Sequence, residues 1–194
     1  MMGTSRTRGG DTRRRIQDVA LELFTEHGYE KTSLREIAEH LEVTKAALYY
    51  HFRTKEDIVI SIFEDLDRPL QELIAWAGEQ PRTQATRQEL VRRYSEALDG
   101  ARPLFRFIQE NQATVRELSI GENFKERMFS MFDLVRDPDA ELVDQVRCIS
   151  ALFTIHAGMF ALRDIEGDPE DKHRAVLEVA SDLVASAHHG DAAG

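Results

Sequence analysis

"SLREIAEHLEVTKAALYYHF", Ser33 to Phe52, holds two short helical periods with a break between them. Ser33 followed three residues later by Glu36 is a capping box, and Leu34, Ile37, Ala38 and Leu41 make the inner face of the helix it opens. Glu42-Val43 forms a tight turn, and Thr44 caps a second helix that runs through about Tyr50. Leu48 points inward on that helix, along with Val43 and Phe52. Tyr49, Tyr50 and His51 are left side by side on the outer face. A core would carry Leu or Val there, and a plain solvent face Glu and Lys. Three large hydrogen-bonding rings in a row suit a surface that meets something polar and flat.

A short helix, a tight turn and a second short helix form a helix-turn-helix unit. In such a unit the second helix enters the DNA major groove and offers its N-terminal residues to base edges. Thr44, Lys45, Ala46 and Ala47 supply that N-terminus, the alanines being small enough for close approach. The hydroxyls of Tyr49 and Tyr50 and the ring nitrogens of His51 can reach phosphate oxygens, and a ring can lie against a thymine methyl. Thr54 caps the next helix, and its positive N-terminal end, with Lys55 in the first turn, suits a phosphate.

Charge distribution agrees with this reading. The 194 residues carry a formal net charge of −10, which taken alone argues against a polyanionic partner. The excess is confined to the back of the chain: residues 1–60 hold ten basic and ten acidic side chains, residues 61–194 fifteen and twenty-five. The basic residues of the front third cluster at Arg6, Arg8, Arg13, Arg14 and Arg15 and recur at Arg35, Lys45, Arg53 and Lys55. Such asymmetry suggests a polyanion-facing head on an acidic body.

Other classes fit poorly. No apolar run approaches the ~18 residues of a membrane span, and the arginines of Met1–Gly10 precede no apolar stretch that would make a signal peptide. No membrane association and a cytoplasmic location are therefore expected. Cys148 is the single cysteine, so an internal disulfide is excluded, and its apolar neighbours predict burial. The seven histidines are scattered without ligand spacing, and neither a nucleophile elbow nor a phosphate-binding glycine loop occurs. The expectation is a non-enzyme that uses neither metal nor cofactor.

The chain reads as helix throughout, an all-α fold without strand alternation or hairpin signals. From Asp11, the residues Ile16, Val19, Ala20, Leu23 and Phe24 share one helical face, Gly28 stops the helix, and Tyr29 packs back on it. Pro69 falls inside a helical pattern that it should kink or break. Asp137-Pro138 and Asp168-Pro169 read as N-caps followed by proline at the first helical position. Further helices are expected at about 84–98, 103–118, 122–136, 139–163 and 170–187. The expected organisation is a flexible basic arm (1–11), a helix-turn-helix head (12–57), a ligand-binding and dimerisation body (58–187) and a frayed tail (188–194).

"FTEHGYEKTSLREIAEHLEVTKAALYYHFRTKEDIV", residues 24–59, resembles the DNA-binding head of the TetR family of bacterial regulators. The resemblance covers roughly Arg13 to Ile60, under a third of the chain. It rests on Phe24, Gly28-Tyr29, Thr32-Ser33-x-Arg35-x-Ile37-Ala38, Val43-Thr44-Lys45, Leu48-Tyr49-Tyr50-His51-Phe52 and Lys55-Glu56. It departs at the turn, where the family usually carries Gly before the Val and this chain has Glu42. A left-handed backbone there would cost a non-glycine residue about 1 kcal/mol. The family implies an all-helical homodimer with a three-helix head and a variable ligand-binding body, and repression relieved by a small molecule. By resemblance Arg35 and Lys45 read bases or nearby phosphates and Tyr49 contacts bases. Tyr50, His51, Thr32 and Lys55 hold phosphates, and Ser33, Thr44, Ala46, Ala47 and Thr54 complete the DNA face. The other reading is a helical carrier or scaffold with a vestigial helix-turn-helix, which has no reason to keep Thr44-Lys45 and Thr54-Lys55 at two successive helix starts.

Two expectations concern the body. Val176, Val179, Ala180, Leu183, Val184 and Ala187 form one apolar stripe and Leu142, Val146, Ile149, Phe153 and Phe160 another, with Ala157 and Gly158 small enough for close helix approach. A two-fold four-helix interface would cover both. The segment around Phe124, Met128, Phe129, Met131 and Phe132 is apolar over more than one face, and Met-rich aromatic linings suit adaptable pockets. Trp76, Tyr94, Phe105, Phe124, Met128, Phe129, Phe132, Phe153 and His156 are thus candidate ligand-binding residues, with Tyr94 and His156 as polar handles. They would wall a cavity made by the fourth helix and those at about 84–98, 122–136 and 139–163. The expected effector is lipophilic, aromatic or, given the acidic body, cationic, and the DNA partner is a double-stranded palindromic operator.

Overall fold

The computed structural model describes residues 5–98, 101–118, 120–162 and 164–187, with side chains from residue 11 onward save 102, 120–124, 159 and 160. Among the described residues the chain forms ten α-helices and no strand. They are α1 (Ser5–His27), α2 (Leu34–His40), α3 (Lys45–His51), α4 (Lys55–Gly78), α5 (Gln84–Ala97), α6 (Arg102–Glu110), α7 (Gln112–Glu117), α8 (Ile120–Val135), α9 (Leu142–Ala161) and α10 (Pro169–Ser186). No helix among the described residues is long and apolar enough to cross a membrane. The chain divides into two compact units, one of residues up to 65 together with 103–121, the other of residues 66–102 and 122 onward.

In the first unit, α1 buries Ile16, Ala20, Leu23 and Phe24, the face its periodicity marks. The helix begins at Ser5, not near Asp11, so residues 5–10 are helical where a flexible arm was expected. Once Asp11–His27 is nucleated, each added N-terminal residue gains a hydrogen bond at little further cost, even across Gly9-Gly10. Gln17 ties α1 to α4, its Nε2 donating to Ser61 Oγ at 3.0 Å and Asp65 Oδ2 at 2.7 Å. Gly28 ends α1 with φ of 89°, the left-handed conformation that glycine adopts without steric penalty. Phe107 of α6 is fully buried, its ring 5.8 Å from both Phe24 and Tyr29, which makes α6 part of the head unit.

The single helix expected at 103–118 is two. Asn111 leaves helical geometry at φ −126°, ψ 43°, and its Nδ2 donates to the Phe107 carbonyl at 3.0 Å. Asn side chains compete in this way with backbone continuation.

In the second unit α9 and α10 lie against each other, and α10 also packs on α5. Asp168 caps α10 as expected, accepting from the N–H of Glu170 at 2.8 Å and Asp171 at 3.4 Å, with Pro169 at the first position. Asp137-Pro138 does not start α9, which begins only at Leu142. Asp137 is instead held by the buried Arg87 at 2.9 Å and closes a turn by accepting from the Asp139 N–H at 3.1 Å. Nor does Pro69 break α4, which continues through it to Gly78. The Pro69 ring is exposed, so it meets solvent and not a packed neighbour.

The two stripes expected to dimerise are divided. Ala180, Val184 and Ala187 are buried within the subunit, as are Cys148, Ala151, Leu152 and Ile155. Leu142, Val146, Phe153 and Val179 are all more than half exposed. Gly158 was expected to permit close approach of a second subunit, yet it faces α10 of its own chain: an added Cβ would stand 2.5 Å from Val176 Cγ2. The Phe160 side chain lies outside the described residues. Because β-branched Val176 cannot swing aside cheaply, Gly158→Ala is expected to destabilise the protein by about 1–3 kcal/mol in urea unfolding. Combining it with Val176→Ala should recover part of that loss; strictly additive losses would place the crowding elsewhere.

Candidate nucleic-acid interface and effector site

The α2–α3 unit is built from the inside outward. Ile37 and Ala38 of α2, Leu48 of α3 and Phe52 beyond it are at most 2% exposed, so α3 is anchored along one edge. Ser33 caps α2 by accepting from the Glu36 N–H, and Thr44 caps α3 by accepting from the Ala47 N–H, each at 3.2 Å. Lys45, Ala46 and Ala47 are then exposed, Tyr49 is 51% and Tyr50 86% exposed, and His51 lies edge-on to Tyr50 at 5.3 Å. The helix therefore presents polar rings and a lysine, as its sequence predicts. Glu42 has φ of +55°, so the backbone there is left-handed. Arg35 is exposed and paired with Glu39 at 2.6 Å. Such a surface pair is worth under about 1 kcal/mol, so the guanidinium is readily given up to another anion.

Of the residues expected to face DNA, Thr32 and Lys55 turn inward, and Thr54 is exposed but engaged as a cap. Thr32 is 2% exposed, and its hydroxyl donates to the carbonyls of Gly28 at 2.9 Å and Leu23 at 3.3 Å, closing the end of α1. Lys55 turns inward: its Nζ donates to the Tyr29 carbonyl at 2.8 Å and sits 4.1 Å from the centre of the Tyr29 ring. Thr54 caps α4, but Asp57 completes the box by accepting from the N–H of Arg53 at 3.1 Å and Thr54 at 3.0 Å. A carboxylate of the chain itself thus occupies much of the positive helix end proposed for a phosphate.

The same corner holds Tyr29 firmly. Its hydroxyl donates to Glu56 Oε1 at 2.8 Å. Burial, then the bonded Glu56 carboxylate, pushes the phenol pKa well up. Burial alone would raise the Glu56 carboxyl, but hydrogen bonds from its own backbone N–H, Tyr29 and Thr54 outweigh it and hold the group below its ordinary value.

One residue named above only within the basic cluster belongs to this face. Arg13 lies 4.5 Å over the Phe52 ring and, with Tyr49, Tyr50, His51, Arg53 and others, lines an open hollow of about 350 Å³. The signal was present: Arg13 falls three and four residues before the buried Ile16 and Gln17, in register with the inner face of α1.

In the second unit the candidate ligand-binding residues separate. Tyr94 is fully buried, its hydroxyl hydrogen-bonded to His156 Nε2 and donating to Met128 Sδ at 2.9 Å, and its ring stacks on His156 with centroids 5.6 Å apart. Burial drives the Tyr94 phenol pKa up and the His156 imidazole down to about 4. The two polar handles therefore meet in the core. Phe129 and Phe153, expected in the same cavity, are 55% and 54% exposed and join through Phe132 in an outer row of rings, with spacings of 6.0 and 5.3 Å. Since α8 is apolar on two faces, only one of them can turn to Tyr94. Trp76 carries the Arg93 guanidinium 3.9 Å over its ring. Phe105 belongs to the segment assigned to the head unit, and the Phe124 side chain lies outside the described residues. Among the described residues no group of His, Cys, Asp and Glu could hold a metal.

Residues 16–62 match the family described as bacterial regulatory proteins, tetR family. Over 63 residues the chain is 44% identical to the HTH-type transcriptional regulator AcrR of Shigella flexneri, covering 32% of this chain and 29% of that protein. It is 37% identical over 75 residues to the regulator QacR of Staphylococcus aureus, covering 39% of each. A 116-residue match at 32% identity joins it to the transcriptional repressor KstR2 of Rhodococcus jostii, over 58% of this chain and 54% of that protein. These matches span between about a third and a half of the relatives' lengths. The solved ketosteroid regulator KstR2 of Mycobacterium tuberculosis shares the fold across 95% of this chain and 96% of its own, with a TM-score of 0.65 at 18% identity. The tetR-family match thus lies in the head, and the likeness across the rest of the chain is one of fold.

The buried His156 makes stability depend on acidity. Between its ordinary 6.5 and about 4, the unfolded imidazole binds a proton that the folded one refuses. Stability present above pH 6.5 is therefore lost as pH falls through that window. Urea unfolding should show about 2 kcal/mol less stability at pH 5 than at pH 7 from this group. His156→Gln should remove that increment; an unchanged pH dependence in the variant would assign the titration to another group.

Proposed function

We propose that this protein is a ligand-responsive transcriptional repressor that binds a palindromic operator as a homodimer and is released by a lipophilic small molecule. The observation that carries the reading is the construction of α3. Its inner edge is locked by Leu48 and Phe52, while Lys45, Ala46, Ala47, Tyr49 and Tyr50 are exposed. A helix so displayed, capped by Thr44 and preceded by a tight turn, fits the major groove. Arg35 and Lys45 read bases or adjacent phosphates and Tyr49 reads bases, while Tyr50, His51 and Arg13 hold the backbone. Lys55 ties the start of α4 to the turn after α1 through the Tyr29 carbonyl.

The exposed apolar residues of α9 and α10, Leu142, Val146, Phe153 and Val179, favour a second copy as the cover for this face. For the effector, the Tyr94–His156 pair beside Met128 is the preferred handle, because a ligand with one polar atom can exchange into that hydrogen bond while its apolar part lies against Met128. The chain's net charge of −10 favours a cationic effector over an anionic one. Helix α4 begins at the head and runs unbroken past Pro69, so a ligand that favours one position of α4 over another would alter DNA affinity.

Selection of bound duplexes from genomic DNA should return a two-fold site with half-sites about one helical turn or somewhat more apart. On that site Lys45→Ala and Tyr49→Ala should each lower affinity by about 1–3 kcal/mol, with smaller effects on random DNA. Equal losses on both would remove the division between reading and holding. A monomer at micromolar concentration in sedimentation would remove the dimer.

A further inference from the structure

The turn between α2 and α3 contains a residue that the fold does not explain. The Val43 N–H donates to the Ala38 carbonyl at 3.0 Å and the Glu42 N–H to Glu39 at 3.1 Å, a pairing that ends helices with a left-handed residue. Glu42 is that residue, at φ +55°, and among the described residues it is the only non-glycine with positive φ. Glycine takes the conformation freely, whereas a side chain with Cβ is strained there. Nothing among the described residues compensates: Glu42 is exposed, and no hydrogen bond or ion pair engages its carboxylate. Strain kept at an exposed position without a local partner points to a use outside the fold.

The position suggests the use. Glu42 stands two residues before Thr44, the cap of α3, at the end of the helix whose N-terminus is offered to DNA in the function proposed above. We propose that Glu42 is a specificity-determining residue whose carboxylate repels phosphates and subtracts from sequence-independent binding. On random DNA the head is held by backbone contacts alone and can slide, which carries Glu42 past phosphates. On a cognate site the base contacts of Lys45 and Tyr49 fix the register, and α3 holds the carboxylate over the groove. The penalty therefore falls more heavily on wrong sequences, and discrimination widens without a new attractive contact.

This inference rests on the DNA-binding reading, and the test separates the two. Wild type, Glu42→Gln and Glu42→Gly are titrated with the selected duplex and with random duplex of equal length, over a series of salt concentrations. Glu42→Gln removes the charge and keeps the strained backbone; Glu42→Gly removes both. Each should bind random DNA roughly fivefold more tightly at low salt, the strength of one charge near a phosphate in water. Affinity for the selected duplex should change about twofold or less, and the gain on random DNA should shrink as salt rises. Glu42→Gly alone should also raise Tm by about 2–4 °C. Unchanged binding to random DNA, or the same gain on both duplexes, overturns the proposal, and an unchanged Tm in Glu42→Gly overturns the strain argument. Should wild type prefer no duplex over random DNA, the DNA-binding reading itself fails, whatever the variants do.

Discussion

Tyr29 is the residue on which the head is assembled. Its ring meets Phe24 edge-on at 5.0 Å and Phe107 at 5.8 Å, the Lys55 ammonium lies over one face, and its hydroxyl donates to Glu56. Four elements meet at one side chain: the end of α1, the loop leading to α2, the first turn of α4 and α6. The apolar contacts hold the ring in place, and the polar ones fix its direction. Buried polar groups that are fully partnered specify one arrangement more sharply than apolar packing does. Gly28, immediately before, supplies the left-handed turn that aims the ring back into the core.

With that corner fixed, α2 and α3 can be short. Seven residues each are far too few for a stable isolated helix, so both depend on caps and on tertiary burial. The caps come from Ser33 and Thr44, and the burial from Ile37, Ala38 and Leu48. Lys45, Ala46, Ala47, Tyr49 and Tyr50 of α3 are left exposed. That economy lets a seven-residue helix expose two tyrosines and a lysine without loss of order.

The local signals of the head were legible because they are local. A cap and the N–H it accepts from lie three residues apart, and the periods of α1 and α2 repeat within one or two turns. A glycine position filled by Glu42 raised the question of a left-handed turn, and its φ of +55° answers it. Thr32 and Lys55 could not be read in this way. Each is a polar residue beside a helix start, as a phosphate contact would be, yet each bonds a carbonyl displaced by the path of the chain: Leu23 for Thr32, Tyr29 for Lys55. Periodicity does not report which carbonyls a fold brings within reach of a side chain. In the body, α8 is apolar on two faces, and sequence alone could not say which one turns inward; Met128 meets Tyr94 while Phe129 is exposed. Asp137 misled for a related reason, since its cap-like spelling was overridden by a buried arginine fifty positions earlier.

The stacking of Arg93 on Trp76 has an optical side. Trp76 is the sole tryptophan and sits in the unit that holds α5, α8, α9 and α10, whereas Tyr29, Tyr49 and Tyr50, three of the four tyrosines, sit in the other unit. Indole emission therefore belongs to the body alone, under a cation 3.9 Å from the ring centre that makes it sensitive to any shift between α4 and α5. Phenol absorption is weighted toward the head. The two compact units carry separate chromophores, and their melting can be followed independently in the unlabelled protein.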